Sequence, residues 1–383
     1  MGPRPLGRRT VSARIMVLLA VALGACSEVQ APRGEPWGVR TTLAADGAWQ
    51  IRWQGRASVT VDGLTTAADG VLRLPADRSS AVRVGRTAFT VWPRREDPCA
   101  PARFVVLGDG RASVDGVGPS AYWAPMLAEA VARAPLFVLN TGDLVKNGED
   151  RAEWDRYLRT LPPWPPVLAV RGNHDRGPHF ADLGMAPADV FALRAGPIAL
   201  VAFDSEGTDA EVRARLPRVE AALAAAAEAP FRVVAMHRPV WSRGNHGSDD
   251  RGLVAALVPL LERHDVALVL SGHDHDYERF CPSLGLGPSR RCVAATDGVT
   301  YVVSGGAATF TVPVPGLSRR VDPAVAVADE AASRIFSAAH HMVEIEAVGG
   351  RLVGRAWRTR AGNIGPPGLL DVFEITRESS CPR

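Results

Sequence analysis

Five short stretches hold the residues that could do chemistry together: Gly108-Asp109, Gly142-Asp143, Gly172-Asn173-His174-Asp175, His237 and Gly272-His273-Asp274-His275. Their candidate ligands are two carboxylates, one amide oxygen and three imidazoles, with no thiolate among them. Donors of this hard-to-borderline kind suit a pair of divalent cations, manganese, iron or zinc. Two such ions about 3.5 to 4 Å apart can activate a water and neutralise charge on a phosphoryl group during in-line displacement. A phosphate ester is therefore the natural substrate class.

Something must bring these stretches together, and each follows an apolar run. The runs read as strands over residues 103–107, 136–140, 167–170, 232–236 and 266–270, with further strands over 198–203 and 299–303. Helix-compatible spacing of apolar residues predicts helices near 121–134, 152–161, 217–229 and 253–263. That alternation is an α/β layered pattern. Residues just past the carboxyl ends of strands converge in one crevice in open α/β sheets, so the stretches should be neighbours. The glycine ahead of each ligand lets the backbone turn sharply at the strand end. Alternation around Gly349-Gly350, from 342 to 375, predicts a closing hairpin.

In order and spacing the five stretches resemble the motifs of the calcineurin-like metallophosphoesterase family, across roughly residues 100–310. Residues 272–279, ending Asp276-Tyr277-Glu278-Arg279, are similar to the last motif of purple acid phosphatases. The resemblance implies a layered β-sandwich flanked by helices over residues 100–378. It also implies hydrolysis of phosphate mono- or diesters by a hydroxide bridging two divalent metals. On that reading Asp143 bridges both metals, Asp109 and His275 hold the first, and Asn173, His237 and His273 hold the second. His174 protonates the leaving alkoxide and Asp175 orients it.

Two positions depart from the family pattern. Arg111 stands where the commonest form has a histidine ligand, and Lys146 where purple acid phosphatases have a tyrosine. The first metal site is thus expected to be water-filled, weakly held or empty. A guanidinium cannot ligate a cation, so Arg111 either grips substrate phosphate as a planar fork or pairs with a neighbouring carboxylate. Lys146 either faces phosphate or is solvated. His246, in a loop soon after His237, is a candidate pocket-lining residue, and Arg238 a weaker one for phosphate. Ser205 reads as a structural hydroxyl, and His179, His340 and His341 as surface or packing residues. Two other readings stand: a nucleotide or cyclic-nucleotide hydrolase, and a non-catalytic binding protein of the same fold.

The N-terminus has a basic stretch and then an apolar run over 15–25, too short to span a bilayer as a helix but suited to a signal segment. It ends in Leu23-Gly24-Ala25-Cys26, which resembles the lipobox of bacterial lipoproteins and implies lipidation of Cys26. Residues 1–25 are then a signal peptide and 26–36 a tether. The protein is expected in the bacterial cell envelope, facing the periplasm or the exterior, with the lipid as its membrane contact. Residues 37–96 alternate in short runs separated by Asp46-Gly47, Asp62-Gly63 and Asp69-Gly70, as a small β-sandwich-like domain would. Cys99, Cys281, Cys292 and Cys381 can pair in three ways, and the favoured one is Cys281 with Cys292 and Cys99 with Cys381. Without the four arginines of residues 1–25, 40 basic side chains face 41 acidic ones, so net charge implies no nucleic-acid partner. Charge and spacing say nothing of the oligomeric state.

Overall fold

The computed structural model describes residues 35–381 apart from 69, 113–115, 117, 249–252, 308–329 and 364–365. The signal peptide, Cys26 and nearly all of the tether lie outside the described residues. Residues 34–383 form one compact unit.

Two mixed sheets face each other. One has the strand order Val167–Ala169, Val138–Asn140, Ala102–Leu107, His341–Val348, Arg351–Arg358, Gly368–Thr376. The other runs Val190–Ala195, Ile198–Phe203, Phe231–Ala235, Val266–Ser271, Thr300–Ser304, Tyr277–Phe280, Ser333–Ser337. The parallel strands are the apolar runs of the sequence. Ile198–Phe203 and Val266–Ser271 are buried along their whole length, as strands covered on both faces must be.

Period-two alternation explains how one strand serves two layers. Phe104 and Val106 point into the core between the sheets with Leu139, Leu200, Val233 and Leu268. Val105 and Leu107 point outward against Trp123, Met126, Trp154 and Leu158, from helices Trp123–Val131 and Arg151–Leu158. On the far side Val201, Phe203, Val234 and Val269 pack on Val212, Leu223, Leu257 and Leu261, from helices Asp209–Ala225 and Leu253–Arg263. The expected α/β fold, a β-sandwich flanked by helices, is therefore borne out, with layers in the order helix, sheet, sheet, helix.

Three local expectations are corrected. The helix placed over 217–229 begins at Asp209, where Thr208 and Glu211 form a reciprocal capping box. Pro217 sits inside it rather than at its head. The closing hairpin is a three-stranded meander, because Gly368–Thr376 adds to Arg351–Arg358 as Arg351–Arg358 adds to His341–Val348. The chemistry-bearing stretches also come from two sheets, so the site lies across the end of a sandwich and not along one open sheet.

Among the described residues the N-terminal strands pair with one another. Trp37–Leu43, Trp49–Gln54 and Val71–Arg73 form one sheet; Leu64–Ala68, Ala57–Val61, Ser80–Val84 and Thr87–Val91 form another. Their core is nevertheless continuous with the inter-sheet core, which takes in Val39, Trp49, Ile51 and Val84. Trp49 meets Trp164 edge-on at 6.1 Å, and the Thr41 N–H donates to the Pro163 carbonyl at 3.1 Å. Disulfides join Cys99 to Cys381 and Cys281 to Cys292.

Candidate metal centre

Each chemistry-bearing stretch starts where a strand of the parallel set stops. Asp109 follows Ala102–Leu107, Asp143 follows Val138–Asn140, and Asn173 and His174 follow Val167–Ala169. His237 follows Phe231–Ala235, and His273 and His275 follow Val266–Ser271. Hydrogen bonds stitch the two sheets together here. The Ala307 N–H donates to the Gly108 carbonyl at 3.0 Å, and His237 Nδ1 bonds the Thr141 carbonyl at 2.8 Å.

The glycines are needed for a different reason than sharp turning. Of Gly108, Gly142, Gly172 and Gly272, only Gly142 has a left-handed backbone, at φ 109°. A Cβ on Gly172 would lie 2.3 Å from the Asp143 carboxylate, and one on Gly142 would lie 2.5 Å from the His237 ring. Close approach between stretches is what excludes a side chain. The strain falls instead on the ligands: Asp109, Asp143 and His273 are non-glycine residues at φ 61°, 54° and 71°. Such conformations cost about 1–3 kcal/mol each and persist where surrounding structure over-determines them.

Three donor atoms gather around His237 Nε2. His237 Nε2 lies 3.1 Å from Asn173 Oδ1, 3.2 Å from His273 Nδ1 and 3.5 Å from Asp143 Oδ1. Donors about 2.0–2.1 Å from a tetrahedral ion stand roughly 3.3–3.4 Å from one another. The three distances from His237 Nε2 are close to that separation. The Thr141 carbonyl holds the His237 proton on Nδ1 and so turns the Nε2 lone pair toward the other three donors. Asp109, Asp143 and His237 also form a buried group whose ligand atoms lie within 4.8 Å of one another.

The other half is built differently. His275 Nε2 lies 3.7 Å from Asp109 Oδ1, and both Asp109 oxygens face the His273 N–H at 3.1 Å. The second oxygen of Asp143, Oδ2, accepts from Arg111 Nε at 3.2 Å. Of the two uses open to Arg111 in the sequence, the structure favours the ion pair. The chemistry of the donors gathered around His237 Nε2 suits a divalent metal; on the Asp109 side a guanidinium already holds the shared carboxylate.

Burial sets the electrostatics. Burial and then the Asp143 charge push the Asp109 carboxyl well above its usual range. Burial alone would raise Asp143 too, but His237, His174 and Arg111 outweigh it and hold Asp143 below that range. Burial, then His237, keeps His273 well below the usual imidazole range and so neutral, as a ligand must be. A bound cation would favour the charged form of Asp109.

The role expected of Asp175 is corrected. His174 Nδ1 bonds the Lys146 carbonyl at 2.8 Å, so that carbonyl orients the ring. The Asp175 carboxylate instead accepts from the N–H groups of Leu144 at 2.8 Å, Gly172 at 2.8 Å and Val145 at 3.2 Å. It ties the loop after Asp143 to the loop carrying His174. The Lys146 and Asn147 N–H groups donate in turn to buried Glu153, at 2.8 and 3.2 Å, which fixes the carbonyl that holds His174.

The remaining candidates divide between the site and the scaffold. His246 is exposed, and its ring stacks on His273 with centroids 4.1 Å apart, at the edge of the centre. Arg238 lies 3.1 Å from His273 Nε2 and pairs with Glu206 at 2.8 Å, so it faces the ligand shell. Ser205 Oγ accepts the Arg238 N–H at 3.0 Å, a structural use. Lys146 Nζ reaches the Gly116 carbonyl at 3.4 Å. His340 and His341 are buried packing residues, against Tyr122 and Tyr277, and His179 heads a short outer helix.

Sequence reasoning missed Asp274, Thr141 and Glu153. Buried Asp274 accepts from Ser242 Oγ at 2.6 Å and from the N–H groups of His246 at 2.7 Å and Gly247 at 3.2 Å, which pins the loop carrying His246. Only its place between His273 and His275 could have flagged it.

A fold of two sheets between helices, with ligands at the strand ends, defines a class. Residues 102–277 match the family described as calcineurin-like phosphoesterase. The chain is 43% identical over 75 residues to tartrate-resistant acid phosphatase type 5 of Sus scrofa, covering 20% of this chain and 22% of that protein. It is 30% identical over 257 residues to an uncharacterized protein of Mycobacterium tuberculosis, covering 53% and 47% of the two chains. The matches thus span less than half the length of these curated relatives. Among solved structures, a purple acid phosphatase from yellow lupin (Lupinus luteus) superimposes with a TM-score of 0.66 at 17% identity, covering 90% of this chain and 75% of that one. PhoD does so with a TM-score of 0.60 at 10% identity, covering 91% and 92%. Both likenesses are likenesses of fold.

Proposed function

We propose that this protein is a metal-dependent phosphoesterase that hydrolyses phosphate mono- or diesters. The observation that carries the reading is the placing of Asp143 Oδ1, Asn173 Oδ1 and His273 Nδ1 around His237 Nε2, each 3.1–3.5 Å from it, beside the buried group of Asp109, Asp143 and His237. The family match and the phosphatase relatives support it. A divalent ion of manganese, iron or zinc on these donors would supply Lewis-acid neutralisation of phosphoryl charge and activation of the attacking water.

The chain's own groups do the rest. His174, half-buried at the rim, has Nδ1 committed to the Lys146 carbonyl. That leaves Nε2 to give a proton to the departing alkoxide. The His174 N–H donates to Asp143 Oδ1 at 2.9 Å, which sets the acid and the ligand shell at a fixed separation. Asp175 and Glu153 hold the backbone of both loops. A second ion on Asp109 and His275 would have to share Asp143 with Arg111.

Purified protein is expected to carry bound divalent metal and to turn over members of a panel of mono- and diesters. Chelation should abolish that activity and metal should restore it. Protein that binds no metal, or that binds metal and hydrolyses no ester, would refute the reading.

We also propose that the chain works in the cell envelope, anchored by lipid at Cys26. Support comes from the apolar run ending in Leu23-Gly24-Ala25-Cys26 and from two disulfides, which suit an oxidising compartment. Cys26→Ser should release the protein from membranes or block its processing. A mature protein that retains residues 1–25 with an unmodified Cys26 would contradict this.

A further inference from the structure

Arg111 is held in place from several directions. Its N–H donates to the Asp143 carbonyl at 3.0 Å, it forms an isolated bridge with Pro119, and its Nη1 donates to the Ala112 carbonyl at 3.3 Å. The side chain is only 12% exposed, and Nε lies 3.2 Å from Asp143 Oδ2. The two oxygens of Asp143 are thus divided. Oδ1 faces His237 Nε2 and the His174 N–H, and Oδ2 faces the guanidinium.

Three consequences follow for a second metal. The donors left on that side are Asp109 and His275, fewer than a closed shell needs. The carboxylate oxygen that could complete the shell already carries a hydrogen-bonded cation. A fixed positive charge beside a buried site also repels a divalent ion, more strongly there than in water.

We propose that Arg111 is the built-in cation of the Asp109 half-site, and that each molecule therefore binds one metal ion tightly rather than two. The metal on the His237 side and the guanidinium on the Asp109 side flank Asp143 together. A phosphoryl group entering between them meets an ion on one flank and a planar guanidinium on the other. This inference rests on the reading of the site as a metal-dependent phosphoesterase and narrows it to a single-metal form.

The test is metal stoichiometry, read without reference to turnover. Wild-type protein loaded with manganese and desalted is expected to hold one equivalent by elemental analysis and to give the electron paramagnetic resonance spectrum of isolated Mn²⁺. Arg111→His, which removes the charge and adds a donor, should take up a second equivalent at least tenfold more tightly than wild type and show a spin-coupled pair. Arg111→Gln, which removes the charge alone, should tighten the second site less than the histidine does. It also serves as the comparison should Arg111→His fail to fold. Two tight equivalents and a coupled spectrum in wild type would overturn the inference and leave the phosphoesterase reading intact. No gain in either folded variant would likewise overturn it. No tight metal in wild type or in either variant would overturn the phosphoesterase reading itself, and this inference with it.

Discussion

The two halves of the metal centre are assembled alike and hold different things. Each draws its ligands from strand ends, and Asp143 belongs to both. On the His237 side an amide oxygen, an imidazole nitrogen and a carboxylate oxygen lie 3.1–3.5 Å from a second imidazole nitrogen. On the Asp109 side a guanidinium has taken the oxygen that a second ion would want. The two sides thus have donors of the same kind, while one side chain, Arg111, sets them apart.

The largest effect should come from the residue both halves share. Asp143→Asn weakens the donor set and the Arg111 ion pair at once, so metal content and activity are expected to fall together to background. Elemental analysis beside an ester assay checks this, and retained metal with lost activity would show that Asp143 acts on the substrate rather than on the ion.

A smaller and more selective loss is expected at His174, whose backbone N–H, retained in any substitution, is what donates to Asp143. His174→Ala should keep the metal and slow esters with poor leaving groups by about 10²–10⁴-fold, while sparing esters with activated leaving groups. An equal loss on both kinds of ester would argue that the ring positions substrate and does not donate a proton.

The mildest change is predicted for Asp175→Asn. Burial and the neighbouring Asp143 raise the Asp175 carboxyl well above its usual range, while the three N–H donors favour its charged form. Asparagine keeps an acceptor oxygen, so the cost is expected near the ordinary one for a weakened buried hydrogen-bond set, about 1–3 kcal/mol, read as a lower melting temperature. Metal stoichiometry should not change. If it drops, the loop tie made by Asp175 reaches the donor set more directly than the geometry implies.

Much of this was legible because ligand types are side-chain facts. The order of Asp109, Asp143, Asn173, His237 and His273 was enough to infer their meeting, and the apolar runs before them were enough to infer buried strands. Relations carried by the backbone were not legible. Nothing in the residue types says that Asp175 serves three amides or that a Lys146 carbonyl holds His174. The choice between two uses of Arg111 needed a distance, which only the fold supplies. The start of the Asp209–Ala225 helix was written in Thr208 and Glu211, but Pro217 is a stronger local signal and pulled the boundary with it.

The disulfide between Cys99 and Cys381 has a topological consequence. It closes residues 99–381 into a covalent ring that contains every proposed ligand, with the N-terminal strands hanging outside it. A protease that cuts this ring once opens it without dividing the molecule. A single cut in the exposed stretch at residues 95–98 is different, since it parts the chain in two and leaves noncovalent contacts, such as Trp49 on Trp164 and Thr41 on Pro163, to keep the pieces together. Nicked protein should therefore run at full mass on a non-reducing denaturing gel when the cut lies inside the ring, and lose the N-terminal strands when it lies before Cys99.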